Sequence, residues 1–122
     1  MNLLTAGIIS ALIAGPAFAQ EWIYLGGHPE GELETSSIIP RRHGYNLQIR
    51  LFGDHPEGTL YMNQILDVHC ADKVVRIDEA WLTSDFSSRI AEMPDLPEKD
   101  RQIYIPTPNQ AYNNTFDFVC SP

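Results

Sequence analysis

Residues 45–52 read YNLQIRLF. Leu47, Ile49 and Leu51 alternate with Asn46, Gln48 and Arg50. A period of two places alternate side chains on opposite faces of an extended chain, so this run predicts a strand with one buried face. Its neighbours repeat the pattern. Residues 60–70 (LYMNQILDVHC) form a long strand with Leu60, Met62, Leu66, Val68 and Cys70 on one face. ADK (71–73) is a turn. Residues 74–83 set Val75, Ile77 and Trp81 against Arg76, Asp78 and Ala80. Upstream, residues 32–39 place Leu33, Thr35, Ser37 and Ile39 on one face. Pro40 ends that run, and RRHG (41–44) reads as a hairpin connection in which Gly44 supplies the permissive backbone. EWIYL (21–25) is a first short strand, with Trp22 as its expected core anchor. Residues 101–105 are a last short strand stopped by Pro106.

The C-terminal segment changes period. Thr107-Pro108-Asn109-Gln110 matches a capping box with proline at the first helical position. Tyr112, Phe116 and Cys120 then recur every four residues, flanked by Ala111, Thr115 and Val119. This is a helix with one apolar stripe. Residues 84–100 are ambiguous: Asp85 could cap a short helix through Phe86, Ile90 and Met93, or the stretch could be a strand or loop. The whole predicts an α+β domain, an antiparallel meander of five to six strands closed by one C-terminal helix.

Residues 3–14 are apolar and uncharged, Gly15-Pro16 breaks them, and Ala17-Phe18-Ala19 places small residues where a signal peptidase reads. That is the pattern of a secretory signal peptide over residues 1–19, cleaved after Ala19. A single domain over residues 20–122 is then expected in the periplasm or outside the cell. No cysteine stands at the cleavage site, so no lipid or membrane anchor is expected after cleavage. The two cysteines, Cys70 and Cys120, are an even count in an oxidising compartment and read as a disulfide. Closing that loop would stabilise the fold by about 4 kcal/mol in the chain-entropy model. The formal net charge of −8 argues against nucleic acid or anionic lipid as a partner.

His-Pro-Glu-Gly occurs twice, at 28–31 and 55–58. Proline suits the second position of a type I or II turn and glycine its end, so both copies read first as turns. In an up-and-down meander both fall at the same end of the sheet. His28, His55, Glu30 and Glu57 are therefore an alternative metal site, because two imidazoles and two carboxylates suit zinc. No cofactor is otherwise expected. His69 beside Cys70 suggests a Cys–His nucleophile only if Cys70 is reduced. No G-x-S-x-G elbow, phosphate loop or dinucleotide fingerprint occurs. Asp78 and Glu79 should face opposite ways, and Glu32 and Glu34 should share a solvated face. Asn113-Asn114-Thr115 fits a glycosylation acceptor but falls inside the predicted helix.

Trp22 after the leader, LETSSIIPRRHGYNLQIRLF (33–52), LDVHCADKVVRI (66–77) and YIPTPNQAYNNTFDFVC (104–120) together resemble the bacterial surface-adhesin protein E family of small exported domains. The resemblance implies an antiparallel sheet with a packed helix, a Cys70–Cys120 disulfide and no enzymatic activity. The founding member is a lipidated surface protein that binds host matrix and plasma proteins; this chain lacks the lipidation cysteine. No binding residue is carried over. The expected function is that of an exported, non-enzymatic binding or structural domain with a protein partner. The alternatives are a metal-binding protein using the two loops, and an enzyme inhibitor presenting residues 84–100. An exposed edge strand would also offer pairing to a second copy.

Overall fold

A computed structural model describes residues 21–86, 91–92 and 96–121. The predicted leader lies outside them. Five long strands run up and down in chain order: β1 (Trp22–Gly27), β2 (Glu30–Arg41), β3 (Gly44–His55), β4 (Gly58–His69) and β5 (Val74–Ser84). Every pairing is antiparallel. Two short strands share the outer edge of β5. β6 (Ala91–Glu92) pairs with Trp81 and Leu82, and β7 (Gln102–Tyr104) with Val74 to Arg76. A one-turn helix, α1 (Glu98–Arg101), lies between them in sequence, and α2 (Gln110–Cys120) follows β7. The expected meander with one closing helix is therefore the fold. Within residues 84–100, Asp85 and Phe86 form a bend rather than a helix start, and Asp85 exchanges hydrogen bonds with Thr59. Ile90 and Met93 lie outside the described residues.

One face of the sheet packs against α2. Leu33, Leu47, Ile49, Leu66, Val68 and Val75 are fully buried there, and α2 supplies Ala111, Tyr112, Thr115, Phe116 and Val119. Each buried aliphatic side chain contributes about 1.5–3 kcal/mol by leaving water. The core holds two polar contacts of its own. The Tyr112 hydroxyl donates to Gln64 Oε1 at 2.8 Å, and burial raises the Tyr112 pKa. The Thr115 hydroxyl donates to the Ala111 carbonyl. The disulfide Cys70–Cys120 joins the end of β4 to the end of α2.

The helix is capped differently from the capping-box reading. Asn109, not Thr107, is the N-cap, and its side chain accepts the Ala111 N–H at 2.9 Å. Asn113 reaches back to exchange two hydrogen bonds with the Thr107 backbone. Asparagine is as good a cap as threonine, and the helix starts where its stripe first meets the sheet.

Two bulges redirect side chains. Between Glu34 and Ile39, four residues of β2 oppose the single Leu47 of β3. Ile38 thereby joins the core and Ile39 points to solvent, the reverse of the plain alternation. Between Glu79 and Ile77 of β5, Asp78 has no partner on β4. Ala80 then packs on the core and Trp81 turns to the other face, whereas unbroken alternation would put Trp81 with Val75 and Ile77. An odd number of extra residues exchanges the two faces of a strand, which is why periodicity alone misplaced both.

Candidate functional site

The face turned away from α2 carries the chain's concentrated side-chain chemistry. The register aligns Trp22 with Glu34, Tyr24 with Glu32, Glu32 with Arg50, Arg50 with Asn63, and Asn63 with Trp81. Cross-strand partners share a face, so these side chains form one belt across five strands. Arg50 is at its centre. Its guanidinium lies 3.9 Å from the Trp22 ring and 4.6 Å from that of Tyr61. Phe52 stands further off at 5.8 Å and meets Tyr61 edge to face. Nε and Nη2 of Arg50 both donate to Glu32 Oε1, at 3.0 and 2.8 Å. A planar cation sandwiched by rings and held by a carboxylate is a rigid arrangement.

Trp22 is therefore not the core anchor the sequence suggests; Ile23 and Leu25 of the same strand fill that role. Glu32 and Glu34 do share a face, but neither is simply solvated. Glu34 is only 2% exposed. Its carboxylate accepts the Ser36 hydroxyl and the Glu21 backbone N–H. Asn63, also buried, donates to Thr83 Oγ1 at 3.0 Å.

Further along the same face lies a second cluster. Asp67 and His69 are two residues apart on β4, so their side chains point the same way. His43 stands in the β2–β3 turn, directly before Gly44, which pairs with His69. A Cβ at Gly44 would run into the Val68 carbonyl oxygen, so only glycine lets the turn close this tightly. The Cys70 N–H donates to the His43 carbonyl at 3.2 Å, and the disulfide begins at that same residue. With both backbones fixed, the two imidazoles stack at 4.0 Å and 13°. His43 Nε2 meets Asp67 Oδ1 at 2.6 Å and His69 Nε2 meets Oδ2 at 3.0 Å. Burial pushes the Asp67 carboxyl up, but the hydrogen bonds and charge of the two histidines outweigh it and hold it below its ordinary value. Arg76, the cross-strand partner of Asp67, is committed elsewhere, to Asp78 and to Glu98. Those two carboxylates raise the Arg76 pKa, and Arg76 in turn lowers that of Glu98.

The two His-Pro-Glu-Gly loops stand at the opposite end of the sheet and differ from one another. In the second, His55 pairs with Gly58, so Pro56 and Glu57 are the central turn residues, as the type I or II reading requires. In the first, Gly27 pairs with Glu30, so His28 and a cis Pro29 are central. Gly26 and Gly27 both take positive φ there. A Cβ on Gly27 would strike Asn109 and Ala111 of α2. Glu30 accepts the Tyr24 hydroxyl at 2.7 Å, while His55 stacks on Phe86 and accepts the Glu57 N–H at 3.1 Å. Among the described residues, three metal-capable side chains converge at His43, Asp67 and His69; His28, Glu30, His55 and Glu57 are not part of that group. In the sequence His69 stands out as the neighbour of Cys70, not as a partner of Asp67 and His43. The usable signals were the Asp-x-His spacing on β4 and the hairpin that returns His43 to its end.

No family model, no curated protein and no solved structure matches this chain.

Proposed function

We propose that this chain is an exported, non-enzymatic binding domain that engages a protein partner through the sheet face opposite α2. The observation that carries the reading is the Trp22–Arg50–Tyr61 sandwich, with Phe52 and Trp81 beside it, on the face turned away from α2. Tryptophan, tyrosine and arginine are the residues that dominate binding energy at protein interfaces, and here they are already held in place. The domain carries a net charge of −8, so the partner surface that fits is one rich in Lys and Arg. The leader-like N-terminus and the disulfide support a periplasmic or secreted setting. The family resemblance of the sequence agrees with such a role.

The test begins with candidate partners recovered from the exported fraction and purified, followed by direct affinity measurement. Trp22→Ala and Tyr61→Ala are each expected to weaken binding by about tenfold or more, the range of interface anchors. His28→Ala, in the β1–β2 turn, should leave it unchanged. Equal affinity for all three variants would overturn the reading.

A further inference from the structure

The belt around Arg50 does not use the cluster at His43, Asp67 and His69, and the cluster has a chemistry of its own. We propose that these three side chains form a binding site for one divalent transition-metal ion of the zinc, copper(II) and nickel(II) class. Their nitrogen and oxygen donor atoms all lie within 4.8 Å of one another. A tetrahedral ion with bonds of about 2.0–2.1 Å needs its donors about 3.3 Å apart. The two His–Asp contacts, 2.6 Å to Oδ1 and 3.0 Å to Oδ2, would open by about 0.7 and 0.3 Å to reach that spacing.

The donor set selects the metal class. Two imidazole nitrogens and one carboxylate oxygen suit borderline transition ions and not calcium or magnesium, which take oxygen ligands. Each Nε2 faces the Asp67 carboxylate. On ligation the imidazole keeps its proton on Nδ1 and offers the Nε2 lone pair. The His43 side chain is 40% exposed, so the remaining coordination positions open to water. Arg41 and Arg42 precede His43 and are exposed, where water and salt screen their charge.

Preorganisation distinguishes the cluster from a chance surface group. The β3–β4 register, the Cys70 N–H to His43 carbonyl bond and the disulfide at Cys70 fix all three backbones before any ion arrives. The unused carboxylates nearby, Asp78 and Glu98, are occupied by Arg76 and do not compete.

The experiment is calorimetric titration of the oxidised protein with zinc chloride, repeated with copper(II) and nickel(II), in a buffer that does not chelate. One ion per chain is expected. His43→Gln and His69→Gln should each weaken binding by at least the roughly 10–100-fold that losing even an outer partner of a metal site costs. The double variant His28→Gln/His55→Gln should bind as the parent does. A second readout avoids reliance on variants that fold poorly. Substoichiometric nickel(II) or copper(II) should broaden the imidazole proton resonances of His43 and His69 and spare those of His28 and His55. No heat and no broadening at millimolar metal would leave the cluster as an ion-pair knot only and overturn the site. Binding that survives both single variants, or that broadens His28 and His55 instead, would overturn it equally.

Discussion

At one end of the sheet the β1–β2 and β3–β4 connections each carry His-Pro-Glu-Gly; at the other, the β2–β3 turn and the end of β4 carry His43, Asp67 and His69. The first end has two histidines and two glutamates in a repeated motif, and these do not converge: His55 stacks on Phe86 and accepts the Glu57 N–H. The second has no repeat, yet its donors converge on one carboxylate. The difference lies in strand order. Loops that join strands one to two and three to four are separated by two strand spacings, about 10 Å. His43 and His69 stand at the ends of adjacent, directly paired strands, one spacing apart. Repetition of residue types along a chain is not proximity; pairing register is.

The ends also differ in how they are secured, and the sharpest way to expose this is to remove the disulfide. Replacing Cys70 and Cys120 by serine should cost about 4 kcal/mol in denaturant unfolding, for a closed loop of this length. Amide exchange should then rise first at His69, Cys70 and the last turn of α2, while Gly31 and Leu51 at the other end stay protected. Uniform loosening would erase the distinction between the ends.

The His-Pro-Glu-Gly end depends instead on close packing of its first loop against the start of α2. Gly27→Ala should lower stability by about 1–3 kcal/mol, because φ is +96° and the new methyl would meet Asn109 and Ala111. Gly53→Ala, on β3 before the second loop, has only Leu60 in reach, at 3.8 Å, and should change the denaturation midpoint little. The second copy's own glycine, Gly58, has φ +152° and a methyl there would meet Asp85 and Phe86, so Gly58→Ala should also lower stability. Equal effects at Gly27 and Gly53 would mean that close packing does not set the cost.

The smallest effect separates the ends by pH. Asp67 has a folded pKa below its unfolded one, so the native state binds fewer protons through that window. Its contribution is fully present above the ordinary carboxylate range, near pH 4, and is lost as pH falls through the folded value. Asp67→Asn should therefore cost about 0.5–1 kcal/mol at neutral pH, and the difference from the parent should shrink below about pH 4. A His28→Ala, His55→Ala pair should stay within about 0.5 kcal/mol throughout. An Asp67→Asn penalty that did not change with pH would show that the histidines do not set it.

Much of the architecture was legible before any coordinates. Leu47, Ile49 and Leu51 alternate without interruption, and β3 pairs with β4 without a bulge along its whole length. The apolar stripe of α2 is equally plain, since Ala111, Tyr112, Thr115, Phe116 and Val119 recur at helical spacing and are all buried. The two cysteines allowed only one internal pairing. The site was much less legible. The sequence reads the repeated loops first as turns and offers them only as an alternative metal site, and it puts Trp22 in the core because a tryptophan next to Ile23 looks like one more apolar residue.

The order of strands, the closing helix and its disulfide follow from local period and residue chemistry, which a linear chain displays directly. Which face Trp81 and Ile38 occupy was decided by bulges, and those arise from the fit of one strand to the next. That His43 meets Asp67 and His69, and that Arg50 lies between Trp22 and Tyr61, was decided by register across the sheet. These contacts join residues 24 or more positions apart, or brought together from three strands. Their distances depend on pairing between strands, a property that no single strand's sequence carries.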